Sequence, residues 1–312
     1  FGAAFNTVEL ATLYGNFSRE SFTSFINLLT LDTKIAVNPQ IKLRLEKHRT
    51  QLAAFGLETG ARFNKLNQYH DGHRFGKMDI INGFASLYGY KRYHNAIDMK
   101  VGLGQHYFNA NAYSRSSGET LYSNTTLLAD LVVDTQDDIH FPKVGVYMNT
   151  NFTLLANKGK YSDLIPIYFL QTNTFTPLSS RAYLFADIYH RSIFNTNNPS
   201  LAFANYAANS YNSYSDYSIP VLGQPGISFL KPVSTMGELG LRVELIDKHY
   251  ITPRFQMLWQ LDDWKDIHFD SLNWSAGVTY QTATRLGPVD FTLGYQRNFN
   301  YFNFFGGVGY QF

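Results

Sequence analysis

Between Leu286 and Phe312 the chain alternates with a period of two, and its two parities differ in kind. Val289, Phe291, Leu293 and Tyr295 fall on one parity; Asp290, Thr292, Gly294 and Gln296 fall on the other. After a turn at Arg297–Asn300, Phe302, Phe304, Val308, Tyr310 and Phe312 share one face, and Tyr301, Asn303, Phe305, Gly307, Gly309 and Gln311 share the opposite one. Successive side chains of a strand point to opposite sides, so this pattern specifies strands with one apolar and one polar or small face. A soluble hairpin laid on a core satisfies it. So does a strand with lipid on one side and a watery lumen on the other, and strands of about ten residues with this dyad repeat are the mark of membrane β-barrels.

Composition separates the two. Charged residues make up 16% of the 312 positions, against about 25% in an average soluble domain. Aromatics reach 16%, with 22 Tyr and 26 Phe. A barrel uses that surplus in the aromatic girdles at its two interfaces. Mean hydropathy is slightly negative at -0.22, and no apolar run approaches the roughly 18 residues that a membrane helix needs. A barrel stays near neutral because alternate residues face water. The formal net charge of +2 is too small, and too scattered, to argue for nucleic acid. Cysteine is absent, which suits passage through an oxidising compartment. No leader precedes Phe1-Gly2-Ala3-Ala4-Phe5, so the chain reads as a mature or truncated product. No linker, heptad or longer repeat interrupts it, and residues 1–312 read as one domain.

The same rhythm runs through the rest. Gln40–His48 puts Ile41, Leu43 and Leu45 opposite Lys42, Arg44 and Glu46. Three charges on one strand face require water or mutual pairing. Ala96–Tyr107 sets Ile97, Met99, Val101 and Leu103 against Asp98, Lys100, Gly102 and Gly104, and Gly237–Leu245 sets four aliphatics against Glu238, Gly240, Arg242 and Glu244. Phe255, Met257, Trp259 and Leu261, then Trp274, Ala276, Val278 and Tyr280, continue it. Met78–Tyr90 also admits a helical turn. Asn195–Ser234 is the longest polar segment and reads as an outside loop. Asp137–Gly145 holds a Pro and a Gly and reads as a tight corner. The count is about 16 strands, at roughly 20 residues per strand with its connection: an all-β, transmembrane antiparallel β-barrel.

Few residues carry chemistry. No G-x-S-x-G occurs, so a strained nucleophile turn is missing. His70 and His73 stand at H-x-x-H spacing with no third ligand of clear spacing; Asp71-Gly72 between them reads as an exposed loop. Asp137 and Asp138 beside His140 read as turn-forming charges. Glu238, Arg242 and Glu244 share a face, either as a mutually paired lumen network or as the lining of a permeation path. No cofactor or metal is expected.

Three segments resemble the BamA/TpsB-type superfamily of outer-membrane barrels, the bacterial surface antigen family. DDIHFPKVGVYMNTNF (Asp137–Phe152) resembles that family's D-x-x-x-F-P-T-x-G turn between the eighth and ninth strands, carried by Asp138, Phe141, Pro142 and Gly145, with Lys143 at the usual Thr. RLGPVDFTLGY (Arg285–Tyr295) resembles the fifteenth strand, and GGVGYQF (Gly306–Phe312) the closing one. Phe1–Phe17 and Ser218–Pro225 look like the opening strand and the sixth loop of the barrels found behind patatin-like phospholipase domains. In family members that handle polypeptides, that loop carries a Val-Arg-Gly-Phe/Tyr tip whose arginine docks on acidic residues inside the barrel. Here the tip is Val221-Leu222-Gly223-Gln224-Pro225-Gly226, without arginine.

The resemblance implies an outer-membrane anchor and translocator for an amino-terminal passenger, in a type V-like manner, with no chemistry in the chain. A lipase domain would precede Phe1. It also implies outer-membrane lipid and lipopolysaccharide, the assembly machinery and passenger or envelope proteins as partners. Gly306, Gly307, Tyr310 and Phe312 would mark the closing seam and the terminal signal. The alternatives are a stand-alone barrel that assists assembly or translocation of other proteins, a structural subunit of an envelope complex, and a solute pore.

Overall fold

The computed structural model describes residues 2–6, 10–21, 26–50, 53–70, 73–93, 96–113, 119–157, 164–194, 206–208, 218–224, 227–263, 265 and 272–309. They form strands β1 (Gly2–Asn6), β2 (Leu10–Glu20), β3 (Leu28–Ile35), β4 (Gln40–Thr50), β5 (Ala53–His70), β6 (His73–Tyr93), β7 (Ile97–Tyr113), β8 (Glu119–Asp134), β9 (Gly145–Asn157), β10 (Leu164–Pro177) and β11 (Ala182–Ile193). Three short strands follow: β12 (Tyr206–Ala208), β13 (Ile219–Pro220) and β14 (Ile227–Phe229). The chain finishes with β15 (Val233–Ile246), β16 (His249–Leu261), β17 (Asn273–Thr284), β18 (Gly287–Gln296) and β19 (Tyr301–Gly309).

Each strand pairs antiparallel with the next from β1 to β11, then β11 pairs with β15. The series runs on to β19, which returns to β1 through Gly2↔Gly309 to Asn6↔Phe305. The result is a closed barrel of 16 strands, with β12–β14 inside one loop and β14 paired to the upper end of β5. Along the paired wall the backbone groups of neighbouring strands satisfy one another without water, while β2 beyond Tyr14 and β5 beyond Arg62 run past their shorter neighbours.

The alternation becomes two surfaces. Leu87, Leu103 and Leu239 point outward, 65%, 61% and 58% exposed, with Ile41, Val101, Phe255, Met257, Leu293 and Phe302 around the same belt. The opposite parity turns inward, where Glu238, Gln256, Ser275, Thr279, Thr292 and Asn303 are buried. A continuous apolar girdle of this extent is a lipid-facing surface. Met78–Tyr90, for which a helical turn was open, is strand throughout and lies within β6.

Strand length is uneven. β1 has 5 residues, whereas β5 has 18, β6 has 21 and β7 has 17. The connections at the two rims also differ. Those at 247–248 and 285–286 are two-residue turns, while 194–232 and 262–272 at the other rim are long. Short turns mark the inner rim of such barrels and long loops the outer one. β1 begins and β19 ends at the short-turn rim.

Candidate functional site

The described part of the long loop folds into the lumen, and its tip is hydrogen-bonded to the wall there. Val221, Leu222, Gly223 and Gln224 are all buried. The Leu222 N–H donates to Gln256 Oε1 at 2.8 Å, and Asn303 Nδ2 donates to the Gly223 carbonyl. Gly223 has φ +73 and sits against Gly294: a Cβ on Gly223 would meet Gln296 N at 2.9 Å, and one on Gly294 would meet Gly223 N at 2.6 Å. Only glycine tolerates that backbone region cheaply and that approach at all. Behind the tip, Ile219, Val221 and Leu230 pack on Met236 and Leu258 of the inner wall, with Tyr189 against them. The loop therefore has its own apolar seat, as a folded plug does. Higher up, β14 pairs with β5 through Ile227↔Gln68 and Ser228↔Tyr69.

Gln256 connects the plug to the charged wall beneath it. Its Oε1 also accepts from Ser275 Oγ at 2.9 Å, and its Nε2 donates to Glu238 Oε2 at 2.7 Å. Glu238 in turn accepts from Arg254 Nε. A buried carboxylate is tolerable only when paired and hydrogen-bonded in this way. Glu238, Arg242 and Glu244 do share the inner face, as their parity required, but they do not form one mutually paired cluster. Each takes a different partner. Arg242 donates to the Pro142 carbonyl at 2.8 Å and to Gln281 Oε1 at 3.2 Å, with its guanidinium 4.6 Å from the Phe175 ring centre. Glu244 lies near the short-turn rim and receives Lys143 Nζ at 3.1 Å. The reason is register: cross-strand neighbours come from other strands, and parity along β15 alone does not reveal them.

Arg242 and Glu244 both serve the β8–β9 turn. Phe141 stacks on Tyr250 at 5.4 Å, so the turn folds over the mouth of the barrel. Inside it, Asp138 Oδ1 accepts the N–H groups of His140 and Phe141, at 2.7 and 2.8 Å. Asp137 Oδ1 accepts those of Lys143 and Val144, at 2.8 and 3.1 Å. Burial alone would raise the Asp137 carboxyl, but these donors outweigh it and hold it below the usual carboxylate range. The hydrogen bond to Glu244 keeps Lys143 protonated well above its ordinary range. Gly145 closes the corner at φ +118, where a Cβ would meet the Thr135 carbonyl oxygen at 2.4 Å. Asp138, Phe141, Pro142 and Gly145 thus work as one built corner.

The seam joins β1 to Gly306, Gly307 and Gly309 of β19, through five residue pairs; β1 meets β2 through five more. β5 and β6 share eighteen by comparison. Pro225, Tyr310 and Phe312 lie outside the described residues, as do the side chains of His70 and His73. Among the described residues no group of three acidic, His or Cys side chains is placed to hold a metal. Gln256 and Asn303, which hold the plug, escaped sequence reasoning. Their only signal was inward parity, which Gln256 shares with Tyr250, Arg254 and Leu258 on β16 and Asn303 with Phe305 and Gly307 on β19.

No protein-family model matches the chain, and no curated protein matches it. Solved structures match it in fold. BamA from Haemophilus ducreyi lacking POTRA domains 1-3 superposes with TM-score 0.76 at 12% identity, over 98% of this chain and 69% of that one. CdiB from Acinetobacter baumannii gives 0.65 at 9%, and CdiB from Escherichia coli 0.61 at 10%, each over 98% of this chain. The chain spans 58% and 62% of the length of those two CdiB structures. At such identities the likeness is one of fold: the chain has a BamA-like barrel.

Proposed function

We propose that this barrel sits in a bacterial outer membrane as a translocator, anchoring and exporting an amino-terminal passenger. A patatin-like domain is the passenger that the opening strand and the sixth loop favour, and no chemistry is assigned to the barrel itself. The carrying observation is the plug. A diffusion pore needs an open lumen, whereas here Leu222–Gln224 is latched to β16 and β19 by hydrogen bonds that can be released and packs against β18. The fold shared with BamA and CdiB supports the same direction. A barrel of that fold meets outer-membrane lipid, lipopolysaccharide and the assembly machinery during biogenesis.

The test is a clamp on the seam. The chain has no cysteine, so Ala3→Cys with Val308→Cys, a cross-strand pair in the register, places the only two thiols. Folding is checked by gel mobility with and without heating. Oxidised barrels are expected to lose passenger export, and reduction to restore it. Unchanged export by the oxidised, folded barrel overturns opening at the seam, and a reduced, folded barrel that exports no passenger overturns the translocator reading. A second reading, assistance to the assembly of other barrels, is favoured by the short β1. It predicts that the clamp impairs insertion of other outer-membrane proteins even when no passenger is attached.

A further inference from the structure

The outward face of β5–β7 carries a feature that neither the plug nor the seam uses. On β6 the apolar belt runs from Ile81, 45% exposed, down to Lys91. Those ten residue steps, at about 3.3 Å each and a tilt of about 40°, cover roughly 25 Å along the barrel axis, the height of a barrel's lipid-facing band. Each end of this stripe has a lysine beside an aromatic ring. Lys91 Nζ lies 4.4 Å from the centre of Tyr93 at the short-turn end. Lys65 Nζ lies 5.6 Å from Phe63 at the long-loop end. Lysines at such edges extend their ammonium groups to the headgroup layer while their stems stay on apolar surface.

The long-loop end has more than one cation. The register sets Lys65 opposite Asp79 and Asn67 opposite Lys77. All four share the outward parity of Ile81 and Leu87, so Lys65 and Lys77 are diagonal neighbours, about 7–8 Å apart at the backbone. Both lysines are exposed, and among the described residues neither lies within ion-pair distance of a carboxylate. Lys231, at the same rim, differs, because Asp262 holds it at 2.7 Å. Among the described residues Asp79 is the acidic group of the patch, beside two lysines. Two ammonium groups at this spacing can bracket a phosphate, the Asn67 amide can meet a sugar hydroxyl, and the apolar belt directly below accepts acyl chains.

We infer that Lys65 and Lys77, with Asn67, form a headgroup site for a phosphorylated glycolipid of the outer leaflet. The site rests on the outer-membrane reading above and not on translocation. The test uses the whole chain, purified in neutral detergent and titrated with bis-phosphorylated lipid A or with its dephosphorylated form, with binding read by native mass spectrometry. Phosphorylated lipid A is expected to bind about tenfold tighter than the dephosphorylated form. Lys65→Gln with Lys77→Gln is expected to remove that preference, Lys231→Gln to keep it, and Asp79→Asn to strengthen it. Equal binding of the two lipids, an unaffected double variant, or an equal loss in Lys231→Gln each overturns the site. All substitutions are on exposed or half-buried outward side chains, and heat-dependent gel mobility confirms the fold. A barrel that exports its passenger but ignores the phosphates loses this site alone; one that binds lipid A but exports no passenger loses the translocator reading alone.

Discussion

At the scale of single residues, the plug depends on a few atoms with no substitute. Gly223 combines φ +73 with a backbone approach to Gly294 and Gln296. Alanine there is expected to cost about 1–2 kcal/mol for the left-handed conformation alone, and the approach to Gln296 N adds to it. Gln256→Ala strands the Leu222 N–H and takes a donor from Glu238, both buried; an unsatisfied buried group costs about 1–3 kcal/mol. Either variant is expected to open the lumen more often, seen as frequent conductance steps in planar bilayers where the parent barrel is mostly closed. Quiet traces from both variants would mean that the apolar seat of Ile219, Val221 and Leu230 holds the plug unaided. Where a related loop uses an arginine on carboxylates, this one uses neutral amides on backbone groups. Its closure is therefore expected to change little with salt, because screening acts on charges.

Single elements show what was legible in the amino-acid order. Strands such as β4, β7 and β15 were plain, because one face is lipid and the other water and the alternation is enforced over their length. The upper ends of β5, β6 and β8 reach beyond the belt, where water wets both faces, and there the pattern fades. The Asp137–Gly145 corner was legible because Asp, Pro and Gly each have a local reason to be there. Its long-range ties, Pro142 to Arg242 and Lys143 to Glu244, were not, since a hundred residues separate the partners. The corner gives a pH prediction. The folded Asp137 carboxyl titrates below its unfolded value, so its contribution is full above that unfolded value and is lost as pH falls through the folded one. The amide resonances of Lys143 and Val144 are expected to hold steady from about pH 7 and to shift only below about pH 4. In Asp137→Asn that shift should vanish. If it persists, another group controls the turn.

The whole molecule is a wall between two solvents, and substitutions should sort by which side and depth they meet. Leu103, mid-belt and 61% exposed, is expected to cost about 2–4 kcal/mol as lysine, measured by unfolding from lipid vesicles. The same change at Ile139, 82% exposed on the β8–β9 turn, should be nearly neutral. Equal effects at both positions would place the belt wrongly. The loop inside this wall is fastened on two sides. Its tip is hydrogen-bonded to β16 and β19 and packs on β18, and its outer strand β14 is tied to β5 by two residue pairs. Between these anchorages lie β1 to β4 and the seam. The plug is therefore also a brace, spanning the one sector whose strands are shortest. Any spreading of β1 away from β19 loads that brace in tension, and its two-pair end at β5 is the weaker joint. It parts first, and the tip stays with β16–β19 as cargo of the fixed side.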